Sequence, residues 1–428
     1  PLSSSAASDV YKRQLYDSDE AVDLGQPPGD IVVLTSADTE VSLLSAAVET
    51  RNAEAAGLDI RIANYLSLNH PFSVDSYLAD TVSGAKLVVV RLLGGSGYWS
   101  YGVQELRALA ESGGPPVAFL AGDGKPDPEL DYLSTVPASD CHRLASYLDS
   151  GGPENASAFL QALHDLIDGT DIAAPPRALL RAGLYWPGID MPDLSRVKDS
   201  WAEGAPVAAI VFYRALLQAG DLAPVDAMID ACRVAGLNPL PLFSASLKDA
   251  DSAPIVADLL AQARADVILN MTSFAVSDPG KDDAGMPGYA SAGPFGAVDA
   301  PVFQLVLSAS LACDWDTSSA GLTPRDLAMN VALPELDGRL LSRAVGFKSA
   351  PRRHPLTHAM TTSYEAVPER AAFVAKLAAG WARLRSLQAG DRRVALIMAN
   401  YPNRDGRLAN GVGPVSYTHL RAHETLLD

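Results

Sequence analysis

The sequence predicts an α/β protein built of two successive doubly wound units with the truncated start of a third. Three observations predict it. Short β-branched runs alternate with amphipathic segments, the alternation occurs twice, and a Pro-rich joint separates the two occurrences. A length of 428 residues holds two or three domains at about 150 residues each. With 48% hydrophobic and 20% charged residues, the composition is that of an ordinary globular chain.

In the first unit, 31–36 (IVVLTS), 58–65 (LDIRIANY), 86–94 (KLVVVRLLG) and 116–124 (PVAFLAGDG) read as strands. Segments 38–56, 73–83 and 98–112 between them carry helical spacing, and helices are expected at 139–149 and 154–167. Strands separated by a dozen or more residues pair in parallel, so the sheet is covered by helices on both faces. Proline continues neither a helix nor a central strand, and AAPPR at 173–177 therefore marks the joint. The second unit reads as strand 207–213, helix 222–235, strand 240–243, helix 254–263, and strands 266–274 and 301–308. A Gly/Pro/Asp-rich loop over 277–300 precedes the last of these, and a less regular stretch leads to helix 366–388 and strand 394–401. The units are thus 15–172 and 173–390, with 391–414 opening a further domain. The ends, 1–14 and 415–428, differ in character from the chain between them and read as translated adapter sequence. They are set aside, with His419 and His423, and the natural chain is expected to extend beyond both.

Thirty-three Lys and Arg against 51 Asp and Glu leave a net charge of −18, which supplies no electrostatic footprint for nucleic acid. No apolar run reaches the roughly 18–20 residues that cross a bilayer, so no membrane partner is expected. Three widely spaced cysteines, Cys141, Cys232 and Cys313, form neither a disulfide framework nor a zinc pattern, so a reducing cytoplasm is the expected setting.

The Gly-rich loop LGGSGYWSYG at 93–102 follows a strand and precedes a helix, where backbone N–H groups can hold an anion. It lacks the Lys and Ser/Thr of a P-loop, so a tight turn is the plainer reading. Tyr98, Trp99 and Tyr101 either stack on a flat ligand or cap the sheet against the next domain; capping is favoured. The acidic loop 121–131 misses the spacing of a calcium loop and reads as a solvated turn. His354 and His358 lie four apart, a spacing that on a helix would present two metal ligands. Pro351 and Pro355 make the segment an extended loop instead, in which Arg352 and Arg353 could meet a carboxylate-rich ligand. Glu335 and Asp337 beside Gly338 are candidate metal ligands or proton acceptors, and equally turn formers. The segment 399–413 (ANYPNRDGRLANGVG) looks most like a site. Asn400, Asn403, Arg404, Asp405 and Asn410 concentrate amides, a guanidinium and a carboxylate at the C-terminal edge of a strand, where open α/β sheets bind ligands.

The stretches 205–249 (with FYR and GLNPLP), 266–277, 301–310, 330–340 and 399–413 (ending NGVG), taken in order, resemble the large subunits of the CobN/magnesium chelatase H-subunit family, on its cobalt branch. The alternatives are the magnesium branch and a non-enzymatic two-lobe binding module. The resemblance implies an N-terminal fragment of a metal chelatase subunit that forms nitrogen–metal bonds. That subunit holds hydrogenobyrinic acid a,c-diamide while Co²⁺, a substrate, is inserted, and a separate AAA+ pair, CobS and CobT, hydrolyses ATP. In the family the catalytic and metal-contacting groups lie largely beyond residue 413, so none is carried over onto this sequence. The chemistry above nominates Asn400, Asn403, Arg404 and Asn410 as a pocket edge, with Glu335 and His354 behind them.

Overall fold

The computed structural model describes residues 21–54, 57–171, 175–277, 293–317, 319 and 321–395. Residues up to Ala382 form one compact unit and those from Arg383 a second, which carries a short turn at Ala389–Asp391. No helix among the described residues is long and apolar enough to cross a membrane.

The first lobe is a parallel sheet of β1 (Ile31–Thr35), β2 (Ile60–Asn64), β3 (Leu87–Leu92) and β4 (Val117–Ala121) in the order β2-β1-β3-β4. Every residue of β1 and β3 is buried, as expected of strands covered on both faces. One face packs Val33, Ile62 and Leu120 against α1 (Asp38–Glu54), α5 (Ala138–Ser150) and α6 (Pro153–Asp168). The other packs Val32, Val88 and Phe119 against α2 (Pro71–Tyr77), α3 (Ser100–Glu111) and α4 (Pro128–Leu133). Local chemistry sets the helix ends. Asp127 caps α4 by accepting from the Glu129 N–H, and α6 starts on Pro153 and stops at left-handed Gly169. The expected helix over 73–83 is α2 followed by one π-helical turn, Leu78–Val82. Trp99 caps its own lobe: it is buried, stacks on Tyr65 and donates to the Leu68 carbonyl at 2.9 Å. Gly102 is required there, since a Cβ would collide with the indole.

The second lobe repeats the pattern. β6 (Val207–Tyr213), β7 (Asn238–Ser244), β8 (Val267–Asn270), β9 (Val302–Leu311) and β10 (Leu340–Lys348) are parallel in the order β7-β6-β8-β9-β10, so β6 takes the place of β1. Antiparallel β5 (Ala182–Leu184) and β13 (Tyr364–Ala366) close the two edges. The helices are α7 (Leu194–Lys198), α8 (Arg214–Ala219), α9 (Ala223–Val234), α10 (Ser252–Ala263), α11 (Ala312–Thr317), α12 (Pro324–Leu327), α13 (Leu333–Glu335) and α14 (Pro368–Ser386). Helices α9 and α14 cover one face and α10 the other. Pro239 and Pro241 sit inside β7 without breaking it. Their carbonyls face away from β6, accepting from Trp201 Nε1 and the Tyr185 N–H, so the missing N–H groups fall on the side that short β5 leaves open.

β5, β10 and the strands after it are the elements sequence periodicity does not announce. In β10 the pairing register with β9 slips between Leu341 and Ala344, which breaks the alternation of the strand. Between β10 and β13 the chain leaves the second lobe and straps onto the first through a hairpin of β11 (Arg352–Arg353) and β12 (Met360–Thr361). Thr357 lies over the sheet edge, its carbonyl accepting from the Ile62 N–H of β2 at 3.2 Å and its hydroxyl 2.9 Å from Ser45 of α1. Ala359 enters the core of the first lobe. Arg61 holds the junction. Its guanidinium donates to the carbonyls of Pro27 and Pro28 at 2.9 Å, of Ile60 at 3.2 Å and of Leu356 at 3.3 Å. Gln26 completes it, donating to Ile62 and His358 carbonyls and accepting from Tyr77. Gly29 lets the chain lie on Arg61, because a Cβ there would sit 2.8 Å from Arg61 Cγ.

Arg61→Ala strips a buried donor from four carbonyls and is expected to cost about 3 kcal/mol, read as a lower urea midpoint at unchanged slope. Gly29→Ala should destabilise through the same contact. Wild-type midpoints in both variants would remove Arg61 from this role.

Candidate functional site

Open parallel sheets bind ligands beyond the carboxyl ends of their strands, at the point where strand order reverses. In this chain that point falls between β1 and β3 and again between β6 and β8; a buried polar cluster lies at the first, and beside the second one runs from the carboxyl end of β8 to the starts of β9 and β10.

In the first lobe Thr35 Oγ1 donates to Glu40 Oε2 at 2.6 Å, and Glu40 Oε1 lies 3.2 Å from Arg91 Nε. Arg91 Nη2 donates to Asp149 Oδ1 at 2.8 Å, and its buried Nη1 has no hydrogen-bond partner among the described residues. Burial pushes the Glu40 carboxyl up, and the Arg91 charge and Thr35 hydroxyl pull the other way. One guanidinium between two carboxylates leaves no excess positive charge, so the cluster is suited to orienting strand ends rather than to capturing an anion.

The second lobe carries the larger network. Asn270 at the end of β8 donates to Gln304 Oε1 of β9 at 2.8 Å, and Arg339 Nη1 reaches the same oxygen at 3.3 Å. Arg339 Nη2 pairs with Asp337 Oδ2 at 2.7 Å, both side chains being at most 4% exposed. Asp337 accepts from the Val276 and Ser277 N–H groups at 2.7 and 2.9 Å and from the Ser277 hydroxyl. Burial alone would raise the Asp337 carboxyl, but these donors and Arg339 together hold it below its ordinary value. Burial likewise lowers Arg339, against Asp337, and its Nε has no partner among the described residues. On the facing side Tyr213 donates to the Ser273 carbonyl, and Ser273 donates to Asn330 in the π-helical turn Ala328–Ala332. The Phe274 N–H donates to the Met329 carbonyl, which fixes Phe274 at φ 68°, a strained value for an aromatic residue. The loop 271–277 is therefore clamped from two sides.

Glu335 is exposed at the end of α13, its carbonyl accepting from the Gly338 N–H at 2.9 Å, while neighbouring Asp337 turns into the network. His354 lies in the strap. Its Nδ1 accepts from the Thr357 N–H at 3.2 Å, and Nε2 is 3.7 Å from Glu49 of α1. Burial, then Arg61 and Arg353, lower His358. The structure thus puts Glu335 in the second lobe's helical segment and His354 against the first lobe. Asn400, Asn403, Arg404 and Asn410 lie outside the described residues, as do His419 and His423. Asn270, Gln304 and Arg339 were missed from sequence, although an Asn in VILN and a Gln in VFQLVL are polar residues within apolar strands. Among the described residues no group of three or more His, Cys, Asp or Glu is placed to hold a metal ion.

The CobN/Magnesium Chelatase family model matches residues 145–416. The chain belongs to that family. An aerobic cobaltochelatase subunit CobN of a Sinorhizobium species is 44% identical over 413 residues, covering 94% of this chain and 32% of that protein. The Pseudomonas aeruginosa protein of the same name is 40% identical over 391 residues, covering 91% of this chain and 30% of its own length. Among solved structures, the catalytic subunit of cobaltochelatase from Mycobacterium tuberculosis superposes with a TM-score of 0.65 at 29% identity, over 90% of this chain and 29% of that one. The chain spans about a third of the length of the curated CobN relatives it matches. The α/β architecture with parallel sheets is therefore that of the cobaltochelatase subunit.

Arg339→Met leaves Asp337 buried without its cation and should cost roughly 3–5 kcal/mol in urea denaturation, whereas the double variant with Asp337→Asn should recover part of the loss. A depressed folded-state value means that Asp337 stabilises the fold above the ordinary carboxylate range, a contribution lost as pH falls below it. The stability gap between wild type and Asp337→Asn should accordingly narrow below about pH 4. A gap independent of pH contradicts the assignment.

Proposed function

We propose that this chain is part of the large, tetrapyrrole-holding subunit of an ATP-dependent aerobic cobaltochelatase, inserting Co²⁺ into hydrogenobyrinic acid a,c-diamide in cobalamin biosynthesis. The observation that carries the proposal is the 44% identity across 94% of the chain to a protein of that name. Co²⁺ enters as substrate. One proton leaves the ring nitrogens as the metal enters, since a corrin holds its metal as a monoanion, so insertion needs ligands that strip water from cobalt and a base that takes that proton. In this reading those groups belong to the part of the subunit beyond the third that this chain matches, and CobS and CobT supply ATP hydrolysis. The described residues contribute the α/β body.

The polar segment 399–413 is proposed as an edge of the tetrapyrrole pocket, with Asn400, Asn403 and Asn410 facing amide arms and Arg404 a carboxylate arm. A cytoplasmic setting suits Cys141 and Cys232, whose thiols burial pushes up to about 11 and about 12 and so keeps protonated.

A chimera in which this chain replaces the matching third of the Sinorhizobium subunit should insert cobalt when supplied with ATP and the partner pair, seen as the change in corrin absorbance. A folded chimera that binds the partners but inserts no cobalt contradicts the proposal. The chain by itself should insert none under the same conditions, and insertion by it would place the chemistry within these residues. Arg404→Ala in the chimera should weaken corrinoid binding about tenfold, the loss of one charge-assisted hydrogen bond. An unchanged titration would remove Arg404 from the pocket.

A further inference from the structure

Away from both strand-end clusters, a cleft of about 410 Å³ opens between the lobes. Its walls are the turn 151–155 that starts α6, the connection 177–180, the end of β5 with the loop 186–192, and the end of α8. The floor is apolar and aromatic, formed by Leu179, Tyr185, Trp186, Leu217 and Phe243, with Leu180 half exposed at the mouth. A volume of this size holds a drug-sized molecule, and apolar clefts between lobes with a few convergent polar groups are the usual form of small-molecule sites.

The rim is polar on one side. Arg177 donates through Nη1 to Glu154 and through Nη2 to Asp190, one carboxylate from each lobe. Its backbone is clamped by Asn155, which accepts from the Arg177 N–H and donates to the Arg177 carbonyl, each at 2.8 Å. Two carboxylates around one guanidinium leave the rim with a net charge of −1, and each acid engages Arg177 through one oxygen only. The remaining oxygens present hydrogen-bond acceptors at the mouth. In the loop beside them Met191 is at φ 43°, a left-handed conformation that a bulky side chain rarely adopts, and it is about half exposed at the cleft.

The geometry points to a binding site for a flat, largely apolar ring system that carries a hydrogen-bond donor, an amide or an ammonium, at one edge. The ring lies on Trp186 and Tyr185, and the donor meets Glu154 and Asp190. An anionic arm is disfavoured by the rim. The amide-bearing edge of a tetrapyrrole answers this description, an identification that rests on the function proposed above, whereas the site itself does not.

The test titrates the full chain with proflavine, a flat tricyclic cation, and with anilinonaphthalene sulfonate, a flat anion, following dye fluorescence and tryptophan quenching. Proflavine should saturate with a dissociation constant at least about tenfold below that of the sulfonate, the worth of one hydrogen bond to a charged acceptor. Ala178→Trp, at an exposed position of the wall, should weaken proflavine at least about tenfold with no change in circular dichroism, and Asp190→Asn with Glu154→Gln should erase the preference between the dyes. Undiminished binding in Ala178→Trp, a preference for the sulfonate, or no saturable binding of either dye overturns the site. None of these readouts involves cobalt insertion, so failure here leaves the chelatase proposal standing and failure of the chimera leaves the cleft standing.

Discussion

The hydrogen bonds that Arg61 and Gln26 spread over the strap are the constraint on which the rest of the structure depends. A sheet edge exposes unpaired N–H and C=O groups, and β2 is such an edge. The protein covers it with chain that belongs to the other lobe: the Thr357 carbonyl takes the Ile62 N–H, and Arg61 gathers carbonyls from the N-terminal segment and the strap onto one guanidinium. The covering segment leaves β10 and returns to β13, so undoing it would uncover β2 and free the last strand of the second sheet together. Two lobes with separate cores are thus joined within one compact unit through Ala382, by this strap and by the Gln218 side chain and carbonyl against the turn 149–152.

The lobes share a strand order, and the shared order gives each the same crevice beside its first parallel strand. What fills the crevice differs. The first lobe balances Arg91 between Glu40 and Asp149. The second buries Arg339 against Asp337 and uses Asn270 and Gln304 to tie the end of β8 to the start of β9. Buried charge pairs of this kind confer little net stability compared with apolar packing, and breaking one partner is what costs. Their consequence is positional: loop 271–277 is fixed at both flanks, and the strained Phe274 persists because its surroundings over-determine it.

The central strands were legible in the sequence because burial on both faces writes them as continuous apolar runs, as in LVVVRL and VAAIVFY. The long helices were legible from their period, whereas short ones were not: α4 falls partly in the stretch 121–131 that reads as a solvated turn, and α7 and α8 carry too few turns to show a period. The strap was not. Its residues are polar or proline, and its position is set by contacts such as Ser45 with Thr357, 312 residues apart, which no local pattern encodes. β10 was hidden by its register slip, and β5 is too short to show a period. At the candidate site, the polar residues Asn270 and Gln304 stand out within their runs, but the partner that explains them, Arg339, arrives from another element. Sequence reasoning saw Asp337 beside Glu335 and had no means of telling which would turn inward.

The two-lobe body belongs to the CobN/magnesium chelatase family, and the chain matches about a third of the length of its curated CobN relatives. The strap ties the lobes together alongside the Gln218 contacts with the turn 149–152. Hydrogen exchange read by mass spectrometry on the full chain tests this most directly. The strap peptide 354–361 and the β2 peptide should exchange as slowly as the central strands β1 and β6 and lose protection together with them as urea is added. A strap that exchanges freely while β1 and β6 stay protected would show two independently stable lobes and contradict the account.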